Sequence, residues 1–329
     1  MIEYFTSCVN KILSTVKNYK KDVEDIYGEK WHEDAVVELY TQIHQKYSRI
    51  WKDTSVQIPV LSQETIRKTN WYGTDSEENF KKNPNKTYKK DSILYKINSE
   101  GYRIYDDNRI NDERHIIACF GCSNTFGVGL PDEHTWPYAL NQKIGFNKYK
   151  CLNYGVSGAS NDLIARLIYN YLNNNKSCKT KPKAIVCYLP EIYRIEYYTD
   201  YSPDQFPLRL APTFYPPCTQ KDYKNYRNFV TPEYAFFNFV KNYKFIETLC
   251  NLHNIPLIWH TWSPTLLYFE GTKLRDFIGS NGIYKSNDRL LFIKPDPHAR
   301  DGKHAGYTHN QILAEEFFVR LKSERNFGR

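Results

Sequence analysis

Ile116-Ile117-Ala118-Cys119-Phe120-Gly121-Cys122-Ser123-Asn124-Thr125-Phe126-Gly127-Val128-Gly129 is the stretch on which the fold turns. Its first five residues form an apolar run with β-branched members, which reads as a strand buried on both faces. The run stops at Gly121, and a small polar residue and two more glycines follow. The backbone therefore turns tightly where the strand ends. In open α/β sheets, chemistry collects just beyond the carboxyl ends of strands. Ser123 stands there as a candidate nucleophile, or as the cap of the next helix; the local sequence leaves both readings open.

Outward from this stretch, strands and helices alternate. Strand patterns fall at 114–120, 149–154, 183–189, 255–260 and 289–293, and helical patterns at 133–145, 159–174, 231–252 and 307–323. This alternation predicts an α/β fold of three layers, α/β/α, with a parallel sheet of about five strands. Upstream, residues 1–52 read as helical: Val9, Ile12, Leu13 and Val16 recur at helical spacing, as do Ala35, Val36, Leu39, Ile43 and Tyr47. The organisation expected is a helical appendage over 1–65 and a second domain over 66–329, its core starting at 93. Residues 68–92 are polar and carry Asn83-Pro84-Asn85-Lys86, which predicts a long surface connection. Residues 93–105 read as short strands around Ser99-Glu100-Gly101. The segment 201–232, rich in Pro, Tyr and Phe, is too long for an ordinary connection and reads as a lid or wall.

Composition sets the limits. The chain of 329 residues is 41% hydrophobic and 25% charged, ordinary for a folded soluble protein. Its net charge of +8 is spread along the chain, so nucleic-acid binding is not indicated. The 28 tyrosines offer flat amphipathic surface of the kind sugars and protein partners use. Met1-Ile2-Glu3-Tyr4-Phe5-Thr6-Ser7 lacks the apolar core of a secretory signal, and no run approaches the roughly 20 apolar residues of a membrane span. A cytoplasmic location with no membrane association is expected. The eight cysteines form no paired C-x-x-C of zinc type, and reduced thiols follow from that setting.

Two further patches carry chemistry. Asp296-Pro297-His298-Ala299-Arg300-Asp301-Gly302-Lys303-His304-Ala305-Gly306 precedes the last helix. One short turn can set the Asp301 carboxylate against one nitrogen of His304 while the other nitrogen faces a serine. The rival readings are a helix-start Asp with a surface His, or a metal held by His298, His304 and His309. The other patch, Asn153-Tyr154-Gly155-Val156-Ser157-Gly158-Ala159-Ser160-Asn161-Asp162, follows the second strand and opens a helix. It suits an oxyanion, or a plain βα turn capped by Ser160 or Asn161.

In order and spacing, the three patches resemble the SGNH hydrolases, the GDSL-type esterases and lipases. Gly121-Cys122-Ser123 with Thr125 and Gly127 is similar to the family's first block, Val156-Ser157-Gly158 to the second, and Asp301-Gly302-Lys303-His304 to the last. Thr135-Trp136-Pro137 is also similar to many members. The resemblance covers about 93–323. It implies a flavodoxin-like fold, with Ser123 as nucleophile, His304 as base and Asp301 as its orienter. It also implies the N–H groups of Ser123 and Gly158 as oxyanion donors, and no cofactor or metal. Two departures stand out. Cys122 replaces the family's Asp, and the strand Ala184-Ile185-Val186-Cys187-Tyr188 runs into Leu189-Pro190-Glu191 with no third-block Asn. Asn161 or Arg194 are candidates to replace that donor, and Arg194 with Glu196 also reads as a surface ion pair. Substrate contacts are assigned to Trp259, His260 and Arg194; the pleat sets Trp259 opposite His260, itself readable as a packed core residue. The expected substrate is an O-acyl ester of a small molecule, lipid or carbohydrate. The rival functions are an SGNH-fold binding module with impaired catalysis and an acyltransferase using the same residues. A protein partner for the N-terminal helices is left unassigned.

Overall fold

The computed structural model describes residues 67–84, 86–98, 100–105, 113–174, 181–196, 209–210, 230–263 and 299–324. The helical reading of 1–52, the strand at 289–293 and most of 201–232 lie outside the described residues. In chain order come β1 (Arg67–Thr69), α1 (Glu77–Lys82), β2 (Tyr95–Ile97), β3 (His115–Gly121) and α2 (Ser123–Phe126). A 3₁₀ turn (Asp132–His134), α3 (Trp136–Ile144), β4 (Tyr149–Gly155), α4 (Asn161–Asn174) and β5 (Ala184–Leu189) follow. The short β6 (Ile195–Glu196) and β7 (Arg209–Leu210) precede α5 (Pro232–Leu252), β8 (Leu257–Thr261) and α6 (Tyr307–Ser323).

The apolar run of the opening stretch is β3, and it lies inside a parallel sheet of order β4-β3-β5-β8. Its side chains alternate as the pleat demands. Ile116, Ala118 and Phe120 join Leu152, Tyr154, Ile185, Cys187 and Trp259 under α4 and α5. Ile117 and Cys119 join Cys151, Val186, Tyr188 and Ile258 under α3 and α6, where Trp136, Leu140, Leu313 and Phe317 close the layer. Two buried faces explain why the strands read as continuous apolar runs. The two helices of the first layer are tied together by Asn238 and Asn242, whose side-chain amides both donate to Asp162 Oδ1, at 3.1 and 3.0 Å. Among the described residues the sheet has four strands.

Residues 68–92 lie largely at the surface, as expected, but they are not a bare connection. β1 pairs antiparallel with β2, and α1 lies between them in sequence. Asp75, Asn83, Tyr88 and Ile93 are buried. Tyr88, Ile93, Tyr95 and Ile97 form a third apolar cluster with Phe126, Val128, Leu130 and Ala299. Most polar side chains of the stretch are exposed; Asp75 and Asn83 are buried and hydrogen-bonded to the rest of the domain, and composition does not distinguish the two cases. The core accordingly begins upstream of residue 93. Cys119, Cys122, Cys151, Cys187 and Cys250 are free and buried; Cys8, Cys178 and Cys218 lie outside the described residues. No helix among the described residues is long and apolar enough to cross a membrane.

Candidate active site

Ser123 owes its position to glycine. A Cβ on Gly121 would stand 1.9 Å from Thr125 Oγ1 and 2.7 Å from the Tyr188 carbonyl oxygen. Only a bare backbone lets α2 fold back onto the end of β3. Gly155, paired with Gly121 across the sheet, does the same from β4: a Cβ there would lie 2.2 Å from Phe126 N. Because the clash is with backbone, Gly155→Ala must push α2 away. It is expected to destabilise the protein by about 3 kcal/mol, measurable as a lower urea midpoint.

The far side of α2 is clamped by a buried arginine. Arg103 donates to the carbonyls of Gly127 (2.7 Å) and Leu130 (2.8 Å) and pairs with Asp132 (2.7 Å). Asn153, inside β4, donates to the Thr125 carbonyl at 2.8 Å. Trp136 Nε1 reaches Thr125 Oγ1 at 3.3 Å, which gives Thr125 and Trp136 a joint structural role. Cys122 is fully buried in the layer under α4 and α5, where the resemblance places a polar Asp.

The loop 299–306 brings in the other two side chains. His304 Nδ1 lies 2.6 Å from Asp301 Oδ2, and His304 Nε2 lies 2.8 Å from Ser123 Oγ. With Nδ1–H directed at the carboxylate, Nε2 accepts the serine proton. Asp301 Oδ1 takes the backbone N–H groups of Lys303 and His304 at 3.0 and 3.1 Å, and the Thr74 hydroxyl donates to Oδ2 at 2.7 Å. Burial pushes the Asp301 carboxyl up, but His304, the Thr74 hydroxyl and the Lys303 N–H together outweigh it and bring the pKa down to about 2. A depressed carboxyl pKa stabilises the fold above its unfolded value near 4, and the gain disappears as pH falls from about 4 through 2. That contribution is about 2–3 kcal/mol at neutral pH. In Asp301→Asn the loss of stability between pH 5 and pH 2.5, followed by urea melts, is expected to be correspondingly shallower.

Sequence reasoning missed what holds this loop in place. Arg300, fully buried, forms a bidentate pair with the fully buried Asp75: Nε to Oδ1 at 3.0 Å and Nη2 to Oδ2 at 2.6 Å. Its other N–H groups reach the carbonyls of Lys90, at 2.5 Å, and Asn70, and its Cζ lies 4.1 Å over the Trp71 ring. Tyr95 donates to Asp75 Oδ2 at 2.6 Å and accepts the Gly129 N–H at 2.7 Å. Asn83 donates to the carbonyls of Ala299 and Arg300, at 3.2 and 3.1 Å. The only advance signal is Trp71-Tyr72-Gly73-Thr74-Asp75, an aromatic pair beside a turn tripeptide within a polar stretch.

The remaining expected site residues scatter. Gly158 has a left-handed backbone (φ 76°) and open space where a Cβ would be. Ser160 Oγ accepts the Leu163 N–H at 3.2 Å and so caps α4. Asn161 is buried, and its amide donates to the Pro190 carbonyl at 3.4 Å, just past the end of β5. Trp259 packs on Phe239 and Tyr243, with ring centroids 6.0 and 4.8 Å away, inside the α4/α5 layer. His260 faces the other layer, where burial lowers its pKa to about 4, so it is neutral at pH 7. Neither bonds to the Ser123–His304–Asp301 chain. His309 Nε2 lies 3.0 Å from the Tyr188 hydroxyl, and both ring nitrogens of His304 are engaged. His298 lies outside the described residues, as do Asp296 and Pro297. Arg194 lies with its Cζ 5.0 Å over the Trp262 ring.

No sequence-family model matches the chain, and no curated protein matches it in sequence. Among solved structures, AlinE4, an SGNH-hydrolase family esterase, is 15% identical with a TM-score of 0.24, over 54% of this chain and 89% of its own. A member of the lipolytic protein G-D-S-L family from Veillonella parvula is 17% identical with a TM-score of 0.28, over 63% of this chain and 99% of its own. A substituted form of AlinE4 is 19% identical with a TM-score of 0.27; the match covers 45% of this chain and 59% of that one. In its sequence blocks the chain resembles the SGNH hydrolases of the GDSL type.

Proposed function

We propose that this chain is a serine ester hydrolase of the SGNH type that works through an acyl-enzyme on Ser123. The observation that carries the proposal is the unbroken run of hydrogen bonds from Ser123 Oγ through His304 to Asp301, 2.8 and 2.6 Å long. Ser123 Oγ attacks the ester carbonyl as His304 Nε2 takes its proton. Asp301, ionised throughout the neutral range, stabilises the imidazolium and fixes its orientation. The tetrahedral oxyanion is held by the N–H groups of Ser123 and Gly158. Collapse breaks the bond to the alcohol, which leaves with the proton from Nε2. Water, deprotonated by His304, then attacks the acyl carbonyl, and Ser123 regains its proton. This chemistry calls for no metal or cofactor.

A third oxyanion donor is expected from Asn161. It supplies an amide beside the end of β5, where the family's third block would place its own Asn. One of its N–H bonds is taken by the Pro190 carbonyl and one remains. Thr74, on the carboxylate oxygen that faces His304, acts as a positioning residue. The substrate class proposed is an O-acyl ester, carbohydrate O-acetyl groups among the candidates.

The test is covalent trapping. A fluorophosphonate probe should add one phosphonyl group to the full chain, found by peptide mass spectrometry on Ser123, and a panel of 4-nitrophenyl esters should be turned over. Absence of both labelling and turnover, or labelling at another residue, would end the proposal.

A further inference from the structure

Among the described residues, the polar side-chain atoms buried without any hydrogen-bond partner include Nε and Nη1 of Arg194 and Nε1 of Trp262. They belong to one place. The Arg194 guanidinium lies on the Trp262 ring, 5.0 Å from Cζ to centroid. Both residues follow the carboxyl ends of neighbouring parallel strands, β5 and β8, at the edge where Ser123 follows β3. The segment between is fixed: Trp262 N donates to the Leu189 carbonyl at 3.3 Å, and Arg194 N to the Glu191 carbonyl at 3.0 Å. Glu191 Oε1 is engaged by the Ser263 hydroxyl at 2.6 Å and the Ile192 N–H at 3.0 Å.

All three orphaned atoms are donors. Guanidinium and indole have no acceptor to offer, and an arginine cannot shed its charge to escape burial. Native structures satisfy buried donors, and an unmet set of one polarity signals a missing partner. What is missing is an acceptor that carries negative charge and can take two or three N–H groups at once. A carboxylate has that shape and charge. The Trp262 face holds the guanidinium by cation–π attraction, so the donors are in place before the anion arrives.

We infer that Arg194 and Trp262 form a carboxylate-binding subsite, and that the ester taken by Ser123 carries a carboxylate on its acyl or its alcohol part. The inference rests on the esterase reading for its substrate clause only; the anion site stands apart from it. Arg194 is a specificity residue here and takes no part in the proton relay.

Two pairs of esters separate the outcomes: 4-nitrophenyl acetate against mono-4-nitrophenyl succinate, and phenyl acetate against 4-acetoxybenzoate. The wild type is expected to favour the charged member of at least one pair in kcat/KM. Arg194→Ala should lose about 30-fold on that member, as expected for a charge-assisted hydrogen bond, and less than about threefold on its neutral partner. Trp262→Phe, which keeps the ring and removes the N–H, should lose less, and again only on the charged ester. Equal losses on both members, or no charged preference in either pair, would overturn the subsite. Succinate is the probe that does not depend on turnover: it should raise the melting temperature of the wild type and not of Arg194→Ala. If no ester is hydrolysed yet succinate stabilises the wild type alone, the esterase reading fails and the anion site stands. No shift with succinate counts against the site.

Discussion

Ser123→Ala is expected to lower ester turnover by about 10⁴-fold or more, with a melting temperature close to that of the wild type. The size follows from what one hydroxyl does in this site. In the proposed mechanism it is the nucleophile, and His304 Nε2 is hydrogen-bonded to it at 2.8 Å, so its removal would end both bond formation and proton transfer. The small thermal effect follows from the fixtures around it. Gly121, Gly155, Asn153 and Arg103 hold α2 through backbone contacts that do not involve the Ser123 side chain. His304→Ala should cost a similar factor, and the double variant little more than either alone, because groups acting as a unit do not contribute additively. Initial rates on a chromogenic ester, normalised to protein concentration, measure all three. A Ser123→Ala protein that retains a tenth of wild-type turnover would show that the hydrolysis has another origin. Loss of an oxyanion donor costs about 100- to 1000-fold. Asn161→Ala in the same assay therefore reports whether that residue fills the place of the absent third-block Asn.

The largest effect on stability is expected at Asp75. Asp75→Ala leaves the Arg300 guanidinium charged and enclosed with no counter-ion, and breaking a buried pair from one side costs about 3–5 kcal/mol. For a domain of this size that corresponds to a drop in melting temperature of about 10 °C. Tyr95 loses an acceptor in the same step, so the Gly129 turn loosens as well. Any ester turnover should fall too, since Asp75 adjoins Thr74, which bonds Asp301, and its partner Arg300 adjoins Asp301 itself. The control is the double replacement Asp75→Leu with Arg300→Met, which removes both charges. It should recover much of the lost stability, because an apolar pair of similar volume often matches a buried ion pair. If Asp75→Ala melted within 2 °C of the wild type, the pair would not be the fastening described above.

How much of this was legible in the sequence depended on the kind of signal. β3, β4, β5 and β8 lie within two residues of their expected bounds, because strands buried on both faces declare themselves as apolar runs. α6 falls on 307–323 as expected, since its apolar positions recur at helical spacing. That Trp259 and His260 face opposite layers follows from the pleat alone. The order of the three blocks anticipates that Ser123, Asp301 and His304 meet in space. Thr74, Asp75 and Arg103 left no comparable mark. Each works through hydrogen bonds to residues remote in the chain, and a buried polar side chain looks in sequence like a solvated one. The burial of Asp75 and Asn83 within the largely exposed stretch 68–92 escapes the sequence for that reason. In sequence, Arg194 reads equally as half of a surface ion pair with Glu196. Nothing in Glu191-Ile192-Tyr193-Arg194 says that its Nε and Nη1 are buried against Trp262.

The span of the fastening between Asp75 and Arg300 also sets a timetable. They are 225 residues apart, Thr74 and Asp301 are 227 apart, and Ser123 and His304 are 181 apart. A ribosome delivers Thr74, Asp75 and Ser123 first and the loop with Arg300, Asp301 and His304 much later. Until then Asp75 must remain in water, because a lone carboxylate is not buried without its counter-ion. The segment that contains it can close only when the last loop arrives. A nascent chain therefore holds Ser123 with no imidazole beside it, and the proposed hydrolysis would become available only once synthesis has passed His304.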